Sequence, residues 1–190
     1  METSEETTIT VEFASQKKEH TLAKELVVDF SEFDENTPIA SKEDINAVNS
    51  QRFEMQQLDG ILYDDPENRV CVGYKDATED EFWVKGHMPG MPIMPGVVMC
   101  EIAAQLSSYI CTKYDFLGAD IVGLGGLEEI RFRNVVRPGD RFVVMLRQEK
   151  VRFGAMIICY FQGYVNQSLV VDGKIKGIPL PTDALRNVEG

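Results

Sequence analysis

The sequence lacks several features that identify common classes of protein. It has no apolar run of the ~18 residues that a membrane-spanning helix needs, and its first residues, Met-Glu-Thr-Ser-Glu-Glu, do not resemble a signal peptide. It has only two histidines, His20 and His87, and its four cysteines form no Cys-x-x-Cys pair. We therefore expect no metal site. Buried free thiols in a cytoplasmic protein are the simplest interpretation of the cysteines.

Basic side chains are scarce in the first half of the chain. Residues 1–86 carry 21 acidic and 8 basic side chains, whereas residues 87–190 carry 10 acidic and 11 basic ones. The net charge of the whole chain is −12. Because nucleic-acid phosphates attract basic surfaces and repel acidic ones, this balance argues against nucleic-acid binding, most of all for the N-terminal part.

Prolines and glycines precede the longest apolar segment. Pro89, Pro92 and Pro95 alternate with Gly86, Gly90 and Gly96, a pattern typical of a loop that is stiffened at some points and free at others. Pro95 stands where a helix can begin, and residues 97–113 are apolar around most of the circumference of a helix. The pattern predicts a long, buried helix.

The polar residues of this predicted helix fall on one stripe. They recur at i, i+4, i+7 and i+11, and they are Glu101, Gln105, Ser108 and Thr112. The stripe is either the solvent-facing side of the helix or a functional face. Solvent stripes usually carry Lys and several Glu, whereas here a single carboxylate stands among small neutral groups. A carboxylate on such a helix is seldom buried without a purpose or a partner.

These residues carry a resemblance to a known family. The motif His87-x-Pro-Gly-x-Pro-x-x-Pro-Gly-Val-x-x-x-Glu101-x-x-x-Gln105 resembles the active-site signature of the β-hydroxyacyl-acyl-carrier-protein dehydratases of bacterial type II fatty acid synthesis, which have the hotdog fold. The similarity continues in residues 129–140 and 171–174, and more weakly in residues 51–60. Altogether it covers roughly residues 41–178.

The expected fold is α+β, a hotdog fold in which an antiparallel sheet wraps around a long central helix. Short β-prone runs agree with it and predict strands at residues 61–63, 69–74, 80–85, 129–136, 141–151, 155–165 and 168–178. We expect the hotdog dehydratase domain in residues 41–190, beginning with a capped helix at Ser41. Residues 1–40 form an acidic N-terminal extension, either an arm that packs through Leu22, Val27 and Phe30 or a partly disordered segment.

Dehydration of a 3-hydroxyacyl thioester requires a base for the C2 proton, an acid for the departing hydroxyl and donors for the thioester oxygen. The resemblance assigns the base to His87, with its second ring nitrogen oriented by the carbonyl of Ile93. Glu101 would protonate or orient the hydroxyl, and burial among apolar residues favours its protonated form. Gln105 would hold the Glu101 carboxyl or simply pack. No cofactor or metal is required.

The start of the central helix supplies the remaining group. The N–H of Gly96, with Val97 next to it, has no intrahelical partner there and can face the thioester oxygen, and the lack of a side chain lets the substrate approach closely. Small residues at Val122 and Gly123, where relatives often carry an aromatic gate, predict an unblocked acyl tunnel that accepts long chains.

The resemblance also implies partners. The substrate carrier would be acyl carrier protein, which is acidic, and basic residues between positions 128 and 152 are the candidates for docking it: Arg131, Arg133, Arg137, Lys150 and Arg152. The implied assembly is a homodimer or a trimer of dimers, with His87 and Glu101 of each active site supplied by different subunits.

Two other functions stay open on the sequence alone. One is a hotdog thioesterase or acyl-CoA hydratase, which would share the fold but not the reaction or the carrier. The other is a non-catalytic acyl-binding regulator, although such a protein usually needs a basic DNA-binding segment and residues 1–40 are acidic. Hydration of an enoyl thioester on acyl carrier protein and on coenzyme A separates these possibilities.

Overall fold

The computed structural model describes residues 25–182. Its elements are α1 (Lys42–Val48), β1 (Gly60–Asp65), β2 (Val70–Asp76), α2 (Gly96–Lys113), β3 (Val122–Phe132), β4 (Arg141–Arg152), β5 (Met156–Val165) and β6 (Ser168–Pro179). The six strands form one antiparallel sheet in the order β1-β2-β4-β5-β6-β3. The expected packing of Leu22 lies outside the described residues.

Helix α2 is the centre of the core. Pro95 caps its first turn, as the sequence predicts, and most of its side chains are buried against the inner face of the sheet. Large apolar residues of the central strands, including Phe142 and Leu146 on β4 and Phe161 on β5, complete this core. The expected α+β arrangement is therefore confirmed. No helix within residues 25–182 has the length and apolar character to cross a membrane.

All four cysteines are buried and free, as expected: Cys71, Cys100, Cys111 and Cys159. Burial raises the pKa of the Cys100 thiol to about 11 and that of the Cys159 thiol to about 12. The thiolate is the reactive form of cysteine, and a raised pKa makes it scarce at neutral pH. These residues therefore pack as small apolar side chains.

Two predicted strands differ from the structure. Residues 80–85 form turns instead of a strand, because Trp83 inserts into the core and its carbonyl accepts the N–H of His87 at 2.8 Å. Strand β3 begins at Val122 and ends at Phe132, whereas the β-prone run covers residues 129–136. The missed part is rich in glycine. It pairs with β6 through backbone groups, and an added Cβ on Gly125 would lie 2.7 Å from the side chain of Ile178.

Residues 25–33 pack against the outer face of the sheet. Val28 is buried there, and Val27 and Phe30 pack on a second apolar cluster that consists of Leu62, Val72, Val143, Met145 and Tyr164. Gln162 on β5 fixes the segment at two points: its Oε1 accepts the N–H of Val27 at 2.9 Å, and its Nε2 donates to the carbonyl of Glu25 at 3.1 Å.

We predict that Gln162→Leu lowers the free energy of unfolding by about 2 kcal/mol. The substitution keeps the side-chain volume but leaves two backbone groups of the outer segment without their partner. Equilibrium urea denaturation measures the change. Gln167→Leu, an exposed change of the same chemistry in the β5–β6 turn, is the control and should stay within about 0.5 kcal/mol of the parent protein. Equal effects of the two substitutions would contradict the role of Gln162.

Candidate active site

Two contacts hold the loop that carries His87 in place, one at Trp83 and one at Glu81. Trp83 is buried and accepts the His87 N–H through its carbonyl. Earlier in the same loop, the Glu81 carboxylate pairs with the buried ammonium of Lys75 at 2.8 Å, and Lys75 also lies 3.2 Å from Asp59. Burial by itself lowers the pKa of Lys75, but the bond to Glu81 and the charge of Asp59 outweigh it and raise the pKa overall. The ion pair is therefore maintained at neutral pH.

His87 and Ile93 exchange two hydrogen bonds across the proline-rich loop. The Ile93 N–H donates to the His87 carbonyl at 2.9 Å, and Nδ1 of the His87 ring lies 2.8 Å from the Ile93 carbonyl oxygen. A carbonyl oxygen can only accept, so Nδ1 carries the proton. In the neutral ring Nε2 is then the basic nitrogen. This is the tautomer that a general base needs.

His87 opens onto a groove at the start of α2. We call it the His87 groove; its volume is about 340 Å³, and it is lined by His87, Ile93, Met94, Gly96, Val97, Met99, Phe132, Asn134 and Val135. Within residues 25–182, no backbone hydrogen bond uses the N–H of Gly96 or of Val97, as expected for the first turn of a helix. These donors and the positive end of the helix dipole favour a negatively polarised oxygen in the groove.

The packing around Gly96 leaves no room for a side chain at this position. A Cβ atom added to this residue would lie 2.7 Å from the ring of Phe132, closer than real Cβ contacts. Phe132 is the last residue of β3, and about half of its side chain is exposed at the rim of the groove. The glycine therefore lets β3 and the start of α2 approach each other.

Glu101 is held by Gln105, one turn further along α2. The Gln105 Nε2 donates to Glu101 Oε1 at 2.7 Å and to the Met55 carbonyl at 2.6 Å, and Gln105 Oε1 accepts the N–H groups of Gln57 and Leu58 at 3.0 and 3.1 Å. Both donors and both lone pairs of the amide are thus used. Gln105 is 1% exposed. It orients Glu101 and has no hydrogen-bonding capacity left for a ligand.

A second, smaller opening lies beside Glu101. We call it the Glu101 cavity; its volume is about 70 Å³, and it is lined by Gln51, Glu101, Ala104, Ser107, Ser108, Val122, Gly123, Leu124, Ile175, Lys176 and Gly177. Gln105 and Ser108 are buried, so the polar stripe of α2 is not a solvent-facing side. Residues 55–58 cover Gln105, and Glu101 is partly accessible to the cavity.

The expectation of an open tunnel at Gly123 needs correction. A Cβ atom added there would lie 2.6 Å from a methyl carbon of Leu180, whose N–H bonds the Ile121 carbonyl at 3.0 Å. The space left by the small residue is therefore filled from the end of β6. Small side chains at positions 122 and 123 do not by themselves indicate a preference for long chains.

The structure places the expected site residues in two groups. His87, Ile93, Gly96 and Val97 meet at the His87 groove, whereas Glu101 faces the Glu101 cavity. Glu101 follows Gly96 by five positions in the chain, which places the two residues about 140° apart around the helix and about 7.5 Å apart along it. The two openings therefore lie on different sides of α2. A single chain does not present both groups to one opening.

The five candidate docking residues are all exposed but also fall into two groups. Arg131 aligns with Asp172 on β6, whereas Lys150 aligns, across β5, with Lys176. Asp172 and Lys176 are four positions apart on β6, so the two rows lie about 13 Å apart. Arg131, Arg133 and Arg137 lie around the end of β3, near the His87 groove, whereas Lys150 and Arg152 lie at the β4–β5 hairpin. The Arg133 guanidinium pairs with the buried Asp172 at 2.7 Å, a structural contact.

Comparison with known families identifies the domain. Residues 49–174 match the FabA-like domain. The chain belongs to the FabA-like domain family. Within residues 25–182, the structure contains no group of three or more His, Cys, Asp or Glu side chains that could hold a metal ion.

Individual relatives agree with this FabA-like assignment. The chain is 34% identical over 126 residues to the 3-hydroxyacyl-acyl-carrier-protein dehydratase FabZ of Desulfotalea psychrophila, which covers 65% of this chain and 83% of that protein. It is 28% identical over 133 residues to the FabZ of Clostridium kluyveri, which covers 70% of this chain and 91% of the relative. Both matches show that the chain is related to FabZ proteins.

Solved structures share the fold at low identity. The ApeI:P dehydratase heterocomplex of Xenorhabdus doucetiae is 11% identical with a TM-score of 0.60 and covers 77% of this chain and 97% of that chain. A sigma28-regulated virulence protein of Campylobacter jejuni is 13% identical with a TM-score of 0.55 and covers 75% and 94%. The hotdog fold of the FabA-like chain is confirmed.

Sequence reasoning missed the residues that surround Gln105. Asn49 donates from Nδ2 to the Gln105 carbonyl at 2.9 Å, and the backbone of residues 55–58 bonds the Gln105 amide. The available signal is the run of amide side chains at positions 49, 51, 56 and 57. Amides are common in loops, so this run does not predict a site without the fold.

We predict that Gln105→Leu lowers the free energy of unfolding by about 3 kcal/mol, because the N–H groups of Gln57 and Leu58 become buried donors without partners. Glu101→Leu removes a single hydrogen bond at a partly exposed carboxylate and should cost less than about 1 kcal/mol. Chemical denaturation of the two variants side by side makes the comparison. Similar losses for both would contradict the central position of Gln105.

Proposed function

We propose that this protein is a lyase that dehydrates (3R)-3-hydroxyacyl thioesters of acyl carrier protein to trans-2-enoyl thioesters, in fatty acid or related lipid biosynthesis. Membership of the FabA-like domain family and similarity to FabZ proteins support this function. The site adds chemical support, because it contains a histidine in the tautomer of a base and a carboxyl held in place by an amide.

In this reaction Nε2 of His87 takes the proton from C2 of the substrate. The electron pair of the C2–H bond becomes the second bond between C2 and C3, and the C3–O bond breaks with its electron pair going to oxygen. The Glu101 carboxyl donates its proton to that oxygen, so that water leaves. Return of the His87 proton to Glu101 through solvent restores the starting state. General acid and base groups of this kind each contribute ~10²–10⁴-fold.

The thioester oxygen gains negative character while C2 loses its proton. We place this oxygen in the His87 groove, against the N–H groups of Gly96 and Val97, where the first turn of α2 offers donors without other partners. Donors that are already in position need no rearrangement when charge develops. The acyl chain beyond C3 then runs towards the Glu101 cavity.

The location of β3 supports the proposal that two subunits complete each site. Within residues 25–182, β3 is an edge strand whose one strand partner in the sheet is β6. Residues 122–124 at its start line the Glu101 cavity, and Phe132 at its end lines the His87 groove. Exposed Leu124 and Leu127 lie between these ends. The strand thus connects the two incomplete openings.

A second copy paired antiparallel along β3 would bring the groove end of one chain to the cavity end of the other. Edge strands expose unpaired N–H and C=O groups that a second strand can satisfy. Symmetric pairing uses the same surface on both chains and makes two equivalent sites. Each site would then contain His87 from one subunit and Glu101 from its partner. The homodimer is the smallest active unit in this proposal.

Acyl carrier protein would approach the groove end of each site. Arg131 and Arg137 are exposed beside that end, and their charge suits an acidic carrier better than the chain's net charge of −12 suggests. Lys150 and Arg152 lie at the opposite end of the sheet and are weaker candidates for the same contact. Arg133 already pairs with Asp172 and contributes little charge.

We predict that His87→Ala and Glu101→Ala each lower the rate of dehydration by at least ~10²-fold while the protein stays folded. The assay is enoyl formation from 3-hydroxyacyl thioesters on acyl carrier protein and on coenzyme A, with circular dichroism as the check on folding. Exposed Lys85→Ala, two residues from His87, is the matched control and should keep nearly full activity. More than about a tenth of the parental rate in either variant would show that its assigned role is wrong.

Mixing the two inactive variants tests whether the sites are shared. After random exchange of subunits, half of the dimers contain one chain of each kind. In such a dimer one site contains both substitutions and the other contains neither. About a quarter of the parental activity should therefore return. If each site instead belonged to a single chain, every site would contain one of the two substitutions and no activity would return. Confirmed exchange, followed by mass spectrometry of labelled chains, without recovered activity would exclude the shared site.

A further inference from the structure

Gln51 lines the Glu101 cavity and contains a buried oxygen that the protein leaves unused. Within residues 25–182, five buried side-chain nitrogen or oxygen atoms have no hydrogen-bond partner: Asn49 Oδ1, Gln51 Oε1, Gln57 Oε1, Trp83 Nε1 and Thr112 Oγ1. Among these five residues, Gln51 is the one that lines the cavity. Leaving a buried acceptor unsatisfied costs about 1–3 kcal/mol, so its position calls for a donor.

Side-chain hydrogen bonds link the residues around Gln51 to α2. Asn49 Nδ2 donates to the Gln105 carbonyl at 2.9 Å, and the Arg52 guanidinium donates to the Asn49 carbonyl at 2.7 Å. The Gln105 Nε2 in turn donates to the Met55 carbonyl and to Glu101. The amide of Gln51 and the carboxyl of Glu101 are therefore carried by one hydrogen-bonded unit. Gln105 therefore links the positions of these two groups.

We propose that Gln51 contacts the substrate, with its amide oxygen accepting a hydrogen bond from the 3-hydroxyl group and then from the water that this group becomes. This inference rests on the proposed dehydration. Glu101 gives its proton to the hydroxyl oxygen, and that oxygen still has its own proton to donate. The unused acceptor of Gln51 satisfies this donor at the start and at the end of the step.

This contact gives the enzyme a means to recognise its substrate. A site built to bond a hydroxyl group rejects an analogue that lacks it, because the polar group of the site is then left without a partner. A saturated acyl thioester matches the substrate except for that hydroxyl. Gln51 therefore makes the cavity selective for 3-hydroxyacyl over saturated acyl chains.

The experiment compares how tightly the protein binds (3R)-3-hydroxyoctanoyl and octanoyl thioesters of acyl carrier protein. His87→Ala serves as the background so that the hydroxyacyl ligand is not consumed. Gln51→Leu, which keeps the volume and removes the acceptor, should reduce the preference for the hydroxyacyl ligand by roughly tenfold. Gln51→His, whose imidazole can accept a hydrogen bond, should retain part of that preference.

Gln56→Leu is the control, because the Gln56 amide already donates to Asn46 Oδ1 at 2.6 Å and does not line the cavity. It should leave the preference unchanged. Each variant is also assayed for dehydration with His87 present. If the parent protein dehydrates no 3-hydroxyacyl thioester, the proposed function fails. If the parent is active but Gln51→Leu and Gln51→His keep its full preference for the hydroxyl, the role of Gln51 fails and the proposed function stands.

Discussion

The four hydrogen bonds of the Gln105 amide are the interaction on which the rest of the site depends. They join the central helix to the backbone of residues 55–58 and orient the Glu101 carboxyl in the same arrangement. A buried amide whose whole capacity is used is both stabilised and fixed in direction. The position of the Glu101 carboxyl is therefore set by the core.

Helix α2 also explains why His87 and Glu101 line two different openings. Its first turn presents free N–H groups to the His87 groove, and Glu101, five residues later, faces another side of the helix. One straight helix cannot turn both groups towards one opening. The edge strand β3 runs between the two openings, and in the proposed dimer pairing through that edge brings His87 of one chain to Glu101 of the other. Burial of Leu124 and Leu127 would accompany this pairing.

The sequence predicts what depends on local patterns or on the family motif. Pro95 and the apolar run that follows it predict α2, and the spacing of His87 and Glu101 predicts the family. Residues 80–85 were expected to form a strand because Phe82 and Trp83 favour β-structure, but tertiary packing of Trp83 produces a turn instead. The partners of Gln105 are backbone groups, which have no signature in sequence. Leu180 covers Gly123 from a distant part of the chain, which no local pattern can indicate.

Hydrogen–deuterium exchange of the β3 amides tests most directly whether two chains complete each site. Alternate N–H groups of this strand point towards β6 and are bonded there, and the others point away from the sheet. Pairing of two β3 strands predicts slow exchange for the outward-pointing amides around Leu127, because they donate to the second copy. Exchange of these amides at the rate of unstructured peptide, in protein that is fully active, would contradict the account.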